Sequence, residues 1–293
     1  MSEGLDALVA AAPYGRAEGV SPLVRRVLAR NPSPFTYTGT GTYLVGRGDV
    51  AVIDPGPADP DHLQAILQAT HGERIAAILI THTHLDHSPG AGPLRAATGA
   101  PVLGCAPLAL ADLGPRADEG FDPSYSPDRV LADGERIQGP GWTLAAVHTP
   151  GHTSNHLCFA LAEEGALFTG DHVMGWSTTV VAPPDGDMAA YMSSLERLLA
   201  RDDTVFYPTH GPPVTEPKRW VRHLLAHRRQ REAQILAELA AGPRTIPSIV
   251  ERLYAQVDRR LWGAAGRSVL AHLLDLEARG AVRRDDDERW SPA

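Results

Sequence analysis

The 293-residue sequence predicts an α/β fold with a small α-helical domain at its C-terminal end. Three observations carry this reading. Over the first two-thirds of the chain, short runs rich in Val, Ile, Leu and Ala alternate with segments whose apolar residues recur at helical spacing. Four of the short runs stop at turns that carry His or Asp. From Glu216 onward, strand-length runs give way to long helical periodicity.

Composition narrows the class. With 43% hydrophobic and 21% charged residues, the chain has enough apolar side chains for a sizeable core. A net charge of −8 argues against bulk attraction to nucleic acid or an anionic membrane, while leaving room for a local basic groove. Cys105 and Cys158 are too few for a disulfide framework and form no CxxC pair, so both are expected as reduced, buried thiols of a cytoplasmic protein. Residues 1–20 have neither a basic nor a long apolar region and are expected to be loosely ordered. No apolar run approaches the roughly 20 residues a membrane-spanning helix needs.

The elements follow in order. Residues 34–45, "PFTYTGTGTYLV", favour strand, with Gly39 and Gly41 marking a turn or bulge rather than a phosphate loop, because no helix follows at the right spacing. "DVAVIDPG" (49–56) is an apolar strand ending in Asp54 and a Pro-Gly turn. Residues 59–70 form a helix capped by Asp59, with Leu63, Ile66 and Leu67 as its apolar stripe. "RIAAILI" (74–80) is a buried strand that runs into "THTHLDHSPG". A short helix over "PLRAATG" and a strand over "APVLG" follow. Residues 131–153 read as a strand, an Asp-Gly turn, a second strand, and a longer strand against which His148 packs. "HLCFAL" and "ALFTGD" are strands joined at 163–165, Asp187 caps a helix over 188–199, and "TVFYPTHG" (204–211) is the last strand.

Residues 21–215 therefore make the larger domain. A single helix started by Pro217 fills 216–240 as a connector. Helices over 246–256 and 267–279, the second ended by Gly280, precede a small hairpin at "AVRRDDDERW". Helix, helix, hairpin is the order of a winged-helix module, placed at 241–293.

The chemistry sits at the strand ends, where α/β sheets assemble their sites. His82 and His84 lie two apart, so an extended segment turns both imidazoles to one face. Asp86 and His87 share a centre if the chain turns at Ser88-Pro89-Gly90. His152, Asp171 and His210 end three further strands. Imidazole and carboxylate ligands suit zinc, and also iron or manganese. Asp54 is either an outer carboxylate that orients a ligand imidazole or a turn former before Pro-Gly. His223 and His227 lie four apart on the predicted helix without the Glu of HExxH, which places them on an exposed face.

"THTHLDHSPG" resembles the HxHxDH signature of the metallo-β-lactamase fold superfamily, and "TPGHTSNH", "LFTGD" and "YPTHGP" resemble its later motifs in the same order. The resemblance implies an αββα sandwich with a dinuclear site at one sheet edge. It implies His82, His84 and His152 on one metal, Asp86, His87 and His210 on the other, and Asp171 between them. His84 stands where di-iron flavin-linked relatives often carry Glu, which points to two Zn(II) ions and hydrolysis. A hydroxide held by the metals and oriented by Asp86 would then attack the substrate.

"GTGTYLVG", "GWSTTVVAPPDGDMAAYMSSLERLL", "AHRRQREAQIL" and "LLDLEARGAV" extend the likeness to beta-lactamase-like proteins with a C-terminal winged helix, a group that includes a mitochondrial endoribonuclease. That subgroup resemblance implies a pocket shaped by Thr178, Thr179 and Tyr191. His156 and His172, beside the implied ligands, are candidates to line it or to donate a proton. Single-stranded RNA is the leading substrate, for which the run Lys218, Arg219, Arg222, Arg228, Arg229 and Arg231 offers a basic strip. The alternative is a thioester, lactone or other small ester, followed by a β-lactam or non-catalytic nucleic-acid binding. Homo-oligomerisation is compatible with the sequence, and no membrane partner is expected.

Overall fold

Two β-sheets face each other across the main core of the computed structural model, which describes residues 2–108 and 120–293. The first sheet runs β1 (Ala17–Gly19), β2 (Val24–Leu28), β3 (Gly41–Val45), β4 (Asp49–Ile53), β5 (Arg74–Ile80), β6 (Val102–Gly104) and β7 (Arg129–Val130), in that spatial order. It is antiparallel up to β4 and parallel from β4 to β7. The second sheet has the order β12 (Val205–Pro208), β11 (Ala166–Gly170), β10 (Leu157–Leu161), β9 (Trp142–His148), β8 (Arg136–Gly139). Only its β11–β12 pair is parallel. Central β5 is a nearly continuous apolar run because both its faces are covered, as expected of a parallel strand inside a layered fold.

The sheets lock through aromatic side chains. Tyr43 of β3 packs its ring 5.0 Å from Phe168 of β11 and 5.7 Å from Tyr207 of β12. Trp142 of β9 is buried and donates its indole N–H to the Asp49 carbonyl across the sandwich at 2.8 Å. Helices α2 (Pro60–Ala69) and α3 (Ala91–Thr98) cover the first sheet, burying Ile66 and Leu94 in the same core. Helices α4 (Met188–Leu199) and α5 (Pro217–Ala240) cover the second, where Leu195, Leu198, Val221 and Leu224 meet Val147, Leu167 and Phe206. The caps follow from the sequence: Asp59 accepts from the Asp61 N–H, and Asp187 accepts from the Ala190 N–H, each worth about 1 kcal/mol.

A third core is built from Ile235 and Leu239 of α5, Ile249 and Val250 of α6 (Ile246–Leu253), Val269, Leu273 and Leu276 of α7 (Trp262–Ala278), and the hairpin of β13 (Val282–Arg284) and β14 (Trp290–Pro292). Thus α5 is more than a connector. Its first half belongs to the sandwich and its second half to the winged-helix core.

Several expectations need correction. Where loose order was expected over 1–20, the described residues form α1 (Ser2–Ala11) and edge strand β1. The Pro34–Val45 strand starts only at Gly41, because Ser33–Tyr37 is a tight turn tied by the Ser33 hydroxyl. The Asp133–Gly134 turn closes no hairpin within one sheet: β7 ends the first sheet and β8 begins the second. Turn chemistry sets local geometry, not which sheet the next strand joins. His148 does not pack against its strand but is exposed at the end of β9. Cys105 and Cys158 are buried and unpaired.

Candidate metal centre

Five strand ends converge at one edge of the sandwich. Asp54 follows β4, His82 and His84 follow β5, His152 lies in the turn after β9, Asp171 follows β11, and His210 follows β12. The turn at Ser88–Gly90 carries Asp86 and His87 back toward the same point. Gly170, at φ +49°, is required here: a Cβ on it would lie 2.6 Å from His156 Nε2 and 2.9 Å from Thr81 Oγ1.

The seven residues implied by the motifs form interlocking clusters: His82, His84 and His152; His82, His87 and Asp171; and Asp86, His87 and His210. All seven are buried. In the first cluster, His84 Nδ1 lies 2.9 Å from His82 Nε2 and 3.1 Å from His152 Nε2. In the last, His210 Nε2 lies 3.0 Å from Asp86 Oδ2, and His87 Nε2 lies 3.4 Å from the same oxygen. Asp171 joins them: its Oδ1 is 3.3 Å from His210 Nε2 and 3.5 Å from His87 Nε2, while its Oδ2 is 3.9 Å from His152 Nε2.

Outer partners set the rings. Asp54 accepts four hydrogen bonds: from the Thr81 N–H and hydroxyl, from His87 Nδ1 at 2.9 Å, and from the Thr209 hydroxyl. Since Thr81 donates to Asp54, its oxygen accepts from His82 Nδ1 at 3.0 Å. His152 Nδ1 donates to the Val180 carbonyl at 2.6 Å, and His210 Nδ1 to the Gly39 carbonyl at 3.2 Å. In each of these four rings the Nδ1 proton is committed, so Nε2 presents a lone pair to the cluster.

That arrangement fits metal ions. Lone pairs of His82 and His152 both aim at His84 Nδ1, which holds one proton at most, so a cation satisfies what a hydrogen bond cannot. His87 Nε2 and Asp171 Oδ1 are buried and make no hydrogen bond. The charges agree. Burial, then the neighbouring rings of His87 and His84, holds His82 well below its ordinary pKa. Burial would lift Asp86 and Asp171, but the rings of His87 and His210 outweigh it and hold both well below the usual carboxylate range. Conversely, against burial, Asp171 and Asp86 pull His210 up to about 10. Two buried carboxylates thus demand positive charge, as protons or as a cation.

The profile of the metallo-beta-lactamase superfamily matches residues 38–210, which contain the whole cluster. The chain belongs to this superfamily. The profile of the beta-lactamase associated winged helix domain matches residues 245–290. An atrochrysone carboxyl ACP thioesterase of Aspergillus fumigatus is 36% identical over 290 residues, spanning 92% of this chain and 87% of the relative. A beta-lactamase-like protein 2 homolog of Drosophila melanogaster is 34% identical over 272 residues, 89% of each chain. A beta-lactamase domain protein from Burkholderia ambifaria shares the fold at TM-score 0.81 with 23% identity, covering 96% of this chain and 94% of that one. The chain is a metal-dependent hydrolase of this superfamily with a C-terminal winged helix.

In this metallo-beta-lactamase fold a cavity of about 400 Å³ opens on the ligands. Its lining combines the ligands His84, Asp86, His152, Asp171 and His210 with Phe35, Met174 and Trp176, and with residues of α5, of α7 and of the segment between α6 and α7. Thr178 and Thr179 line it; Thr179 also donates its hydroxyl to the Asp171 carbonyl at 2.7 Å. Three expected lining residues do not reach the cavity. Tyr191 is buried in the α4 core with its ring 4.9 Å from that of His172. His172 is buried and pressed down to about 3 by burial and the His152 ring, so it is no proton donor to the cavity at neutral pH. His156 is buried behind the ligands, where its Nε2 accepts the Asp171 N–H at 3.2 Å and its Nδ1 meets the Thr149 hydroxyl.

The basic strip is also not one face. Lys218, Arg219 and Arg229 pair with Asp202, Glu216 and Glu196 on the surface, whereas Arg228 and Arg231 turn into the cavity wall. His223 is exposed beside Trp220, but His227 is half-buried and joins that wall. Arg231 carried one sequence signal: no acid stands three or four residues from it on either side.

Proposed function

We propose that the chain hydrolyses acyl thioesters at a two-zinc centre, with Asp86 orienting the attacking water. The observation that carries this reading is the cavity: about 400 Å³, walled largely by apolar side chains such as Phe35, Met174, Trp176, Val257, Leu261 and Ala265, with five of the ligand residues in its lining. Such a chamber suits a folded acyl group better than an extended polyanion. The thioesterase name of the A. fumigatus relative agrees. Cleavage of single-stranded RNA, the leading expectation from the sequence, is the weaker reading, because surface acids neutralise much of the basic run it relied on.

The chain's own residues divide the work. His82, His84 and His152 would hold one ion, Asp86, His87 and His210 the other, with Asp171 facing both. When bound, the ions supply Lewis acidity and bring the pKa of water down to about 7. Asp86, kept ionised by His87 and His210, accepts a hydrogen bond from the water and sets its direction. The water gives up one proton to solvent, its oxygen adds to the thioester carbonyl carbon, the C–S bond breaks, and the products are a carboxylic acid and a thiolate. A thiol pKa near ~8.5 makes that departure far less dependent on a proton donor than alkoxide departure from RNA.

Elemental analysis of purified protein should return about two zinc ions per chain, one for His82, His84 and His152 and one for Asp86, His87 and His210; iron in their place would overturn the zinc assignment. A panel of acyl thioesters, a lactone, a chromogenic β-lactam and single-stranded RNA should show turnover of thioesters that Asp86→Ala abolishes. Turnover of RNA alone, lost in the same variant, would replace the thioester reading.

A further inference from the structure

The α5 wall of the cavity carries two arginines, Arg228 and Arg231, with no carboxylate against their guanidinium groups. Arg228 is 4% exposed. Its Nη2 donates to the Thr179 carbonyl and its Nη1 lies 3.3 Å from the Ser268 hydroxyl, while its Nε is buried without a hydrogen-bond partner. Arg231, one turn along α5, lies with its guanidinium carbon 4.2 Å from the Tyr254 ring centroid. Its only hydrogen bond among the described residues is a 3.5 Å contact with the Leu253 carbonyl, and its Nε is likewise buried and unpartnered. Among the described residues, neither arginine forms an ion pair. The acids of neighbouring elements are engaged elsewhere: Glu232 and Asp275 with Arg279, Glu238 with Arg244 and Arg252, Glu196 with Arg229.

Carbonyls, a hydroxyl and a ring face can satisfy guanidinium donors, but they do not neutralise the charge of buried Arg228 or of half-buried Arg231 beside it. The field is felt locally. Burial first, then the charges of Arg228 and Arg231, presses His227 down to about 4, so it adds a neutral ring to the same wall. Guanidinium forks in a dry pocket are the usual means of recognising carboxylate or phosphate.

We propose that Arg228 and Arg231 form an oxyanion subsite on the α5 wall of the cavity, which selects acyl substrates carrying a carboxylate or phosphate in addition to the scissile thioester. The subsite rests on the thioester reading only for the identity of the bond cleaved. It places recognition on α5, the helix shared by the sandwich and winged-helix cores, and cleavage at the strand ends of the sandwich.

The metal-loaded enzyme is assayed on two matched pairs. One is a glutaryl thioester of N-acetylcysteamine against its uncharged glutaramoyl counterpart. The other is an acyl phosphopantetheine against the same acyl pantetheine. A charge-assisted contact favours the anionic member of one pair by about tenfold or more in kcat/KM, and that pair identifies carboxylate or phosphate as the source. Arg231→Met brings the ratio close to one. Arg228→Lys, which keeps the charge but not the fork, is the second variant. Calorimetric titration of glutarate and of inorganic phosphate into wild type and Arg231→Met reads the subsite without turnover, since any binding at the metal ions is common to both proteins. Equal kcat/KM within both pairs for wild type overturns the subsite and leaves the thioester reading standing. Anion binding that depends on Arg231, with no thioester turned over, supports the subsite and overturns the thioester reading.

Discussion

The carboxylate of Asp54 and Nδ1 of His87 lie 2.9 Å apart, and both side chains are fully buried. Asp54 also sits at φ +48°, a left-handed conformation that Asp and Asn tolerate better than other side chains. The residue thus serves both readings open in the sequence: it makes the turn after β4 and orients a ligand ring. Asp54→Asn keeps the turn and the side-chain shape but removes the charge that fixes the His87 proton on Nδ1. Loss of such an outer partner should weaken metal binding about 10–100-fold. Competition with a chromophoric chelator would show the change, which should fall on one of the two ions. Unaltered affinity for both would remove Asp54 from the metal centre.

Acid should destabilise the fold through His62. This ring on α2 is buried; since the Thr42 hydroxyl donates to the Asp54 carbonyl, Thr42 accepts from His62 Nε2 at 2.8 Å. Its Nδ1 is buried without a partner, so a second proton there has nowhere to bond. Burial, opposed only by Asp59, lowers its pKa from 6.5 to about 4. The unfolded chain therefore takes up this proton first as pH falls. Stability from this group is intact above pH 6.5, is lost between 6.5 and about 4, and changes no further below that. The full loss is on the order of 3 kcal/mol. Urea midpoints at pH 7 and pH 4.5 should diverge less for His62→Gln than for wild type.

Parts of this molecule were legible before any coordinates. Helices α4 and α5 and strand β5 begin and end where periodicity and caps place them, because amphipathic spacing and capping are local. The seven clustered residues were legible as motifs, each at the end of an apolar run. What local sequence does not encode is the direction a half-buried side chain takes once distant elements pack. Arg228 and Arg229 are adjacent and look alike in sequence, yet Arg229 pairs with Glu196 on the surface and Arg228 enters the cavity. Helical spacing puts Arg228 on the buried stripe of Val221, Leu224, Leu225 and Ile235 and Arg229 off it; what the local sequence does not give is the partner, Ser268 of α7, forty residues on, that meets Arg228. Strand β2 was missed for a related reason: its "VRRVL" carries two arginines that only tertiary partners, Glu73 and Glu18, make compatible with a half-buried strand.

Gly151 fixes how close the His152 turn comes to α4. It has φ +138°, and a Cβ there would lie 2.3 Å from the Tyr191 Cα, a backbone atom that cannot rotate away. Gly151→Ala must push the turn off the helix or shift α4. Combining overpacking with an unfavourable φ, the loss of stability should be about 2–3 kcal/mol. The same displacement should carry His152 away from its two imidazole neighbours. Thermal unfolding and metal content, measured together, test this. A variant with wild-type stability and full metal content would mean that the turn is not held by α4.

Thr179 and Val180 tie the metal ligands to the C-terminal half of the chain. The Thr179 hydroxyl donates to the Asp171 carbonyl at 2.7 Å and contacts the His172 carbonyl at 3.1 Å. Its own carbonyl accepts from Arg228 of α5, and the next carbonyl, that of Val180, accepts the His152 Nδ1 proton. Thr179→Val keeps the shape but leaves two buried carbonyls short of a donor, which should cost about 1–3 kcal/mol. Because the lost bond holds Asp171, metal affinity should fall along with stability. Thr179→Ser restores the hydroxyl with a smaller side chain and should recover most of the affinity while remaining slightly less stable from lost packing. If Ser and Val variants bind metal equally weakly, the methyl group and not the hydroxyl positions Asp171.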